Sequence, residues 1–159
     1  MNRRDFSLQL AATGAVLATA TAAKAQGGPV EGTHYVKLNT PAPISLAADK
    51  KIEVVEFFWY ECPACNAFEP ALESWVKRLP ADVQFRYIPV GFTARHQVTQ
   101  RLFYTLEAMG QLVPLHRRIF AAMHVQGNRM LTERDVIAWV AAQGVDAERF
   151  TAEMRSMSV

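Results

Sequence analysis

The spacing of hydrophobic and polar positions changes more than once along this chain. The first change falls at its only two cysteines. Ile52 to Tyr60 is a short run of β-branched and aromatic residues interrupted by two glutamates, too short to span a membrane. It predicts a strand buried on both faces. From Phe68 the apolar positions recur at helical spacing, with Phe68, Leu72, Trp75, Val76 and Leu79 on one stripe. A helix over about 63–79 follows, ended at Leu79-Pro80 and kinked at Pro70, which removes one backbone hydrogen bond. Val83 to Val90 returns to strand composition and is closed by Pro89 and Gly91. Strand, helix and strand in this order predict a right-handed βαβ unit with parallel strands. Upstream, 26–33 reads as a Gly/Pro linker, and the weak alternation of His34 to Asn39 predicts an edge strand stopped by Pro41 and Pro43.

From His96 onward the pattern is helical. Val98, Leu102, Leu106 and Met109 form one stripe, ended by Gly110. Leu115, Ile119 and Met123 form a second, ended by Gly127. Thr132 to Asp135 predicts a capping-box start, with Leu131 placed to staple onto Val136; Val136, Ile137 and Val140 give the buried face, and Gly144 stops the helix. Asp146 caps a last helix carrying Phe150, Met154 and Met157 on one side. Such stripes are ordinarily core. No internal repeat or low-complexity tract interrupts them.

The chemistry sits where the period changes. Cys62 falls at the strand-to-helix turn, Pro63 at the first helical position, where a missing N–H costs nothing, and Cys65 one turn inside. The free N–H groups and positive dipole end of a helix favour an anion at Cys62 and lower the pH at which its thiolate forms. A Cys62–Cys65 disulfide closes a ring worth only about 2 kcal/mol in chain entropy, little for a structural staple. A disulfide whose reduced form gains a stabilised thiolate is a good oxidant. A structural bridge and half of a zinc site are the alternatives; zinc needs two more ligands. His34, His96, His116 and His124 show no short ligand spacing to the pair.

Composition adds an address. The chain has 159 residues, half of them hydrophobic, enough for one domain with a sizeable core. Residues 1–25 hold Arg3, Arg4 and Lys24 against Asp5, so the remainder carries 14 basic and 14 acidic residues. A neutral remainder without a basic stripe argues against nucleic acid. Arg3-Arg4, the apolar stretch Leu8 to Ala22 and the small-x-small triplet Ala23-Lys24-Ala25 predict an export signal over 1–25. Arg3-Arg4-Asp5-Phe6 resembles a twin-arginine signal, with Asn2 and Ser7-Leu8 imperfect. Export delivers the pair to an oxidising compartment where a disulfide persists.

Glu56-Phe57-Phe58 leading into Cys62-Pro63-Ala64-Cys65-Asn66-Ala67-Phe68-Glu69-Pro70 resembles the active site of the DsbA family, periplasmic thiol:disulfide oxidoreductases with a thioredoxin fold. The resemblance covers about 34–157. It implies an α/β fold: a thioredoxin-like domain over 26–159, with a βαβ part at 33–92 and an all-helical insertion at 93–159. It implies that Cys62 is the sulfur attacked and Cys65 the thiol released, with clients among reduced exported polypeptides. A DsbB-like quinone-linked membrane oxidase would reoxidise the pair, with no soluble cofactor and no metal. The absence of a dimerisation segment tilts the reading to a monomeric oxidase rather than an isomerase. Glu56, Glu69 and Arg86 fall where the family places charges near the second cysteine. A buried carboxylate of raised pKa could accept the proton of Cys65, with a cation to balance it. Solvent for Glu69 and a strand edge for Arg86 are the bland readings. Glu61 reads as solvated; Trp59, Tyr60 and Phe92 read as flanking a substrate groove, with core packing the expected job of at least one of them.

Two departures from the family stand out. The dipeptide between the cysteines is Pro63-Ala64 where well-known members have Pro-His, which predicts a less depressed Cys62 pKa and a weaker oxidant. The chain also reaches Val159 with no proline after Pro114, so the family's cis-proline loop and closing hairpin and helix are expected to be missing. A non-catalytic thioredoxin-like binding or holdase module, or an inactive truncated product, is the alternative function, and a metal carrier a third.

Overall fold

The computed structural model describes residues 28–156. The expected export signal at 1–25 and Met157 lie outside the described residues. Contacts divide the chain into two units, 1–43 and 44–159.

In the first unit the expected edge strand is absent among the described residues. Residues 31–35 form a tight turn instead: Gly32 sits at φ +81, and its amide donates to the Tyr35 carbonyl at 2.8 Å. His34 Nδ1 accepts from the Val30 amide at 2.9 Å. Val36 and Leu38 remain exposed, so the weak alternation has no apolar surface to bury against.

The second unit opens with β1 (Ile52–Phe58), α1 (Pro63–Val76) and β2 (Val83–Pro89). The strands pair in parallel, Val54 opposite Phe85 and Glu56 opposite Tyr87. A single helical turn at Ala94–His96 leads to α2 (Gln97–Ala108), α3 (Leu112–His124), α4 (Glu133–Ala142) and α5 (Ala147–Met154).

The strand after the linker is shorter and less buried than its composition predicts. Phe58 is fully buried, but Phe57 is 66% exposed and Ile52 is also exposed. β1 has one described neighbour, β2, so one of its edges and much of one face stay open. The predicted stripe of α1 is likewise only partly covered: Leu72 is buried, whereas Phe68 and Trp75 are exposed. α1 ends at Val76 rather than Leu79, and Pro70 lies within it without ending it.

The helices that follow build the core. Leu102 and Leu106 of α2, Ile119 and Phe120 of α3, Val136 and Val140 of α4, and Phe150 of α5 are fully buried together with Phe58. Thr132 and Asp135 exchange reciprocal capping bonds, Asp135 N to Thr132 Oγ1 at 3.2 Å and Thr132 N to Asp135 Oδ2 at 3.0 Å. Asp146 Oδ1 accepts from the amides of Glu148 and Arg149 at 3.0 Å each. Leu131 remains 42% exposed, so no buried staple forms. Trp139, off the predicted stripe, is buried as well.

Candidate active site

The strand-to-helix turn places the two sulfurs differently. The Cys62 amide donates to the Trp59 carbonyl at 2.9 Å, closing the turn out of β1. Cys62 then stands as N-cap of α1 in extended geometry, with Pro63 opening the helix. Its Sγ accepts from the Cys65 amide at 3.3 Å, so a helix-start donor points at this sulfur. Cys65, one turn on, packs against the buried core, and both thiols are free.

Their acidities separate accordingly. Burial pushes Cys62 up, but hydrogen bonds from the Cys65 thiol and from the amides of Cys65 and Ala64 outweigh it and hold the group below its ordinary value. Cys65 is pushed up to about 11, by burial first, then by donating to Cys62 and by the negative charges of Cys62 and Glu56. Of the two thiols, Cys62 is therefore the one that gives up its proton first.

Two glutamates lie inward of the pair. Glu56 rises from an ordinary 4.5 to about 7, by burial and then by the charge of Glu69. Its Oε2 is buried with no hydrogen-bond partner among the described residues. Glu69 is 1% exposed, against the solvent-facing alternative. Its Oε1 lies 3.3 Å from His116 Nε2 of α3, and His116 Nδ1 lies 2.9 Å from the Tyr60 hydroxyl. Tyr60, Glu69 and His116 thus form a buried polar chain joining the end of β1, the cysteine-bearing helix and the helical region. Burial, and then the charge of Glu69, holds both Tyr60 and Tyr87 well above the ordinary phenol value.

Other residues singled out from the sequence fall elsewhere. Arg86 does not join the glutamates inward of Cys65: its Nε donates to Glu53 Oε1 at 2.9 Å, and its second contact is to the same oxygen. Register explains this, because Arg86 lies opposite Val55 and so shares a face with Glu53 rather than with Glu56. Tyr60 is core, 1% exposed, and does not flank a groove. Trp59 and Phe92 do come together, with ring centroids 6.0 Å apart, and Trp59 lies 4.4 Å from the His96 ring. Phe92 is 73% exposed, giving an aromatic shoulder beside the turn that carries Cys62. Glu61 is not solvated: its side chain is 13% exposed, and Oε2 meets Arg95 at 2.8 Å and Arg129 at 3.6 Å.

His116, His124, Arg95, Arg129 and Glu53 carry these contacts, and sequence reasoning missed all of them as site residues. His124 Nε2 lies 2.8 Å from the Tyr60 carbonyl, tying the end of α3 to the same turn. The available signal was a histidine on an otherwise apolar helical stripe, His116 next to Leu115. A lone buried histidine of that kind needs a partner, but its position does not say which.

No family model matches the chain. Comparison with individual proteins is decisive. The chain is 40% identical over 152 residues to the thiol:disulfide interchange protein DsbA of Bordetella pertussis, covering 96% of this chain and 69% of that protein. It is 40% identical over 128 residues to DsbA of Pseudomonas aeruginosa, covering 80% of this chain and 60% of the relative. The crystal structure of Pseudomonas aeruginosa DsbA superposes with a TM-score of 0.70 at 40% identity, over 77% of this chain and 63% of that one. The chain therefore spans about two thirds of the length of the relatives it matches. Parallel strands around a cysteine-bearing helix, followed by a run of helices, are the thioredoxin-like α/β fold with its helical insert. By sequence and by fold, the chain belongs to the DsbA family of thiol:disulfide interchange proteins.

Proposed function

We propose that this chain oxidises cysteine pairs in exported polypeptides by dithiol–disulfide exchange at Cys62-Pro63-Ala64-Cys65. The observation that carries the reading is the unequal placement of two sulfurs one helical turn apart, Cys62 capping the helix and accepting the Cys65 amide at 3.3 Å while Cys65 packs on the core. In the oxidised form a client thiolate attacks Cys62 Sγ; the Cys62–Cys65 bond breaks, and Cys65 leaves as a thiolate. With a pKa of about 11, Cys65 takes up a proton at neutral pH. Glu56, at about 7, is the group matched to hand it over and later to receive it back. A second client thiol, having lost its proton, attacks the client sulfur of the mixed disulfide and expels Cys62 as its stabilised thiolate. The client gains one disulfide and the chain ends as a dithiol.

The surrounding assignments belong to the same reading. Residues 1–25 act as an export signal, with Arg3-Arg4 favouring the twin-arginine route, and the chain works in the periplasm. Residues 33–92 form the βαβ part and 93–159 the helical insertion. A DsbB-like quinone-linked membrane oxidase restores the disulfide, and the chain acts as a monomer. Trp59 and Phe92 provide the aromatic shoulder against which a client segment rests, while Glu69 sets the charge felt by Glu56.

The test is direct. Titrating Cys62 by thiolate absorbance should give a pKa below that of Cys65, and the oxidised chain should convert a reduced dithiol peptide to its disulfide stoichiometrically. Like titrations at the two thiols with no peptide oxidation would leave a thioredoxin-like binding module in place of an oxidase.

A further inference from the structure

The residue immediately before the reactive cysteine carries a feature that the exchange chemistry does not use. Glu61 sits in the turn that presents Cys62, largely covered, and a single carboxylate oxygen holds two arginines from distant parts of the chain. Arg95 arrives from the short helical turn before α2, and Arg129 from the loop between α3 and α4. Two cations on one carboxylate leave a formal surplus of one positive charge on the turn that carries Cys62. Both guanidiniums remain substantially open to water, with side chains 45% and 59% exposed. Each offers five N–H donors in a fixed fork, so contact with one shared oxygen leaves donors on both free for a further anion.

A recess of about 300 Å³ lies against this group, lined by Glu61, Pro63, Met123, His124, Gly127 and Arg129. Pro63 is the neighbour of Cys62, so a polypeptide joined to Cys62 through its own cysteine brings its flanking side chains to this recess. Met123 offers an apolar wall and Arg129 a cationic one. A short acidic side chain next to the client's cysteine fits that chemistry, and a lysine there meets like charge. Ala64, between the cysteines, carries no charge of its own.

We infer that Arg95 and Arg129, gathered on Glu61, form a cationic rim that selects client segments bearing a carboxylate beside the cysteine that attacks Cys62. The inference rests on the oxidase reading for its clients, but the rim itself can be measured without it.

Three dithiol peptides, identical except for Glu, Gln or Lys next to the attacking cysteine, are presented to the oxidised full chain at low ionic strength. The Glu peptide should be oxidised about fivefold faster than the Lys peptide, the scale of one exposed ion pair, and added salt should shrink that ratio. Arg95→Gln with Arg129→Gln should bring it toward one, and Glu61→Gln, which frees the arginines, should widen it. The opposed signs separate charge from folding damage, since the ratio is read within each variant. In parallel, reduced chain is alkylated at Cys62 with anionic iodoacetate and neutral iodoacetamide. The iodoacetate-to-iodoacetamide rate ratio, referred to a free thiol, should be raised in the parent and fall in the double arginine variant. Oxidation of the Gln peptide with equal Glu and Lys rates would overturn the rim and leave the oxidase. Failure to oxidise any peptide, with the alkylation ratio raised as expected, would sink the oxidase and leave the rim. An alkylation ratio equal to that of the free thiol, unmoved by either set of variants, would overturn the rim whatever the peptides do.

Discussion

The βαβ unit is covered at one end and open at the other, although similar residues line both. At the Cys62 end, Phe58 and Tyr60 are buried among Phe103, His116 and Phe120. Away from it, Val54, Phe68, Leu72, Trp75 and Phe85 line an open, largely apolar groove of about 490 Å³ that reaches Glu56. The two are continuous. Rings run from Trp75 to Phe85 at 6.4 Å, to Tyr87 at 4.7 Å and to Phe58 at 5.7 Å. The same aromatic row is thus sealed by helices at one end and wet at the other. Hydrophobic spacing says that a face is apolar; whether that face counts as core depends on what reaches it from elsewhere in the chain.

The largest effect that would test this contrast is chemical. Cys62→Ser should reduce peptide oxidation to background, whereas Cys65→Ser, starting from a preformed mixed disulfide with a single-cysteine client, should hold that adduct because neither Cys65 nor a second client thiol remains to release it. Intact mass of the adduct under non-reducing conditions checks both, and equal behaviour of the two variants would erase the asymmetry between the sulfurs.

Next in size is packing. Phe120→Ala, at the sealed end, should cost about 3–5 kcal/mol in urea unfolding, the usual penalty for emptying a buried aromatic site. Phe68→Ala, at the open end, should cost about 1 kcal/mol or less, because a half-exposed ring gives up little buried area. Equal losses would mean that the groove is filled in solution.

Smaller is the polar chain. His116→Leu removes a partner of both Tyr60 and Glu69, leaving a buried hydroxyl and a buried carboxylate each short of a hydrogen bond, and should cost about 1–3 kcal/mol. The paired variant His116→Leu with Glu69→Leu should recover part of that loss, since the carboxylate that had to be solvated is gone.

Smallest is a pH slope. Glu56 is raised from 4.5 to about 7, so the folded chain binds more protons than the unfolded chain between those values. Its contribution is fully present below about pH 4.5 and is lost as pH rises through about 7. Unfolding free energy of the reduced chain should therefore decline across that window, and Glu56→Gln should flatten the decline. A slope indifferent to the substitution would remove Glu56 as the proton partner of Cys65.

Legibility from sequence followed locality. The strand, the turn, Cys62 as N-cap and Pro63 as first helical residue were readable because they involve bonds between residues three or four apart, such as the Cys65 amide on Cys62 Sγ. The capping box at Thr132 and Asp135 was readable for the same reason. The depth of Glu69 was not, since its partner His116 is 47 residues away. Nor was the neutralisation of Glu61, which depends on Arg95, 34 residues on. Arg86 was placed near Cys65 by the family resemblance, whereas strand parity, which needs the register, sends it to Glu53. The edge strand expected at 34–39 failed because alternation without a neighbouring strand or an apolar face has nothing to stabilise it.

By itself the amino-acid order determined that one cysteine would begin a helix and the other lie a turn inside it, because capping, proline placement and helical period act over a few residues. Tertiary structure alone decided how deeply Glu69 is buried and on which partner, which arginines close on Glu61 and which end of the aromatic row is sealed. Those outcomes depend on groups brought together by chain crossings of tens of residues, where burial and charge are set by whichever neighbour the packing delivers.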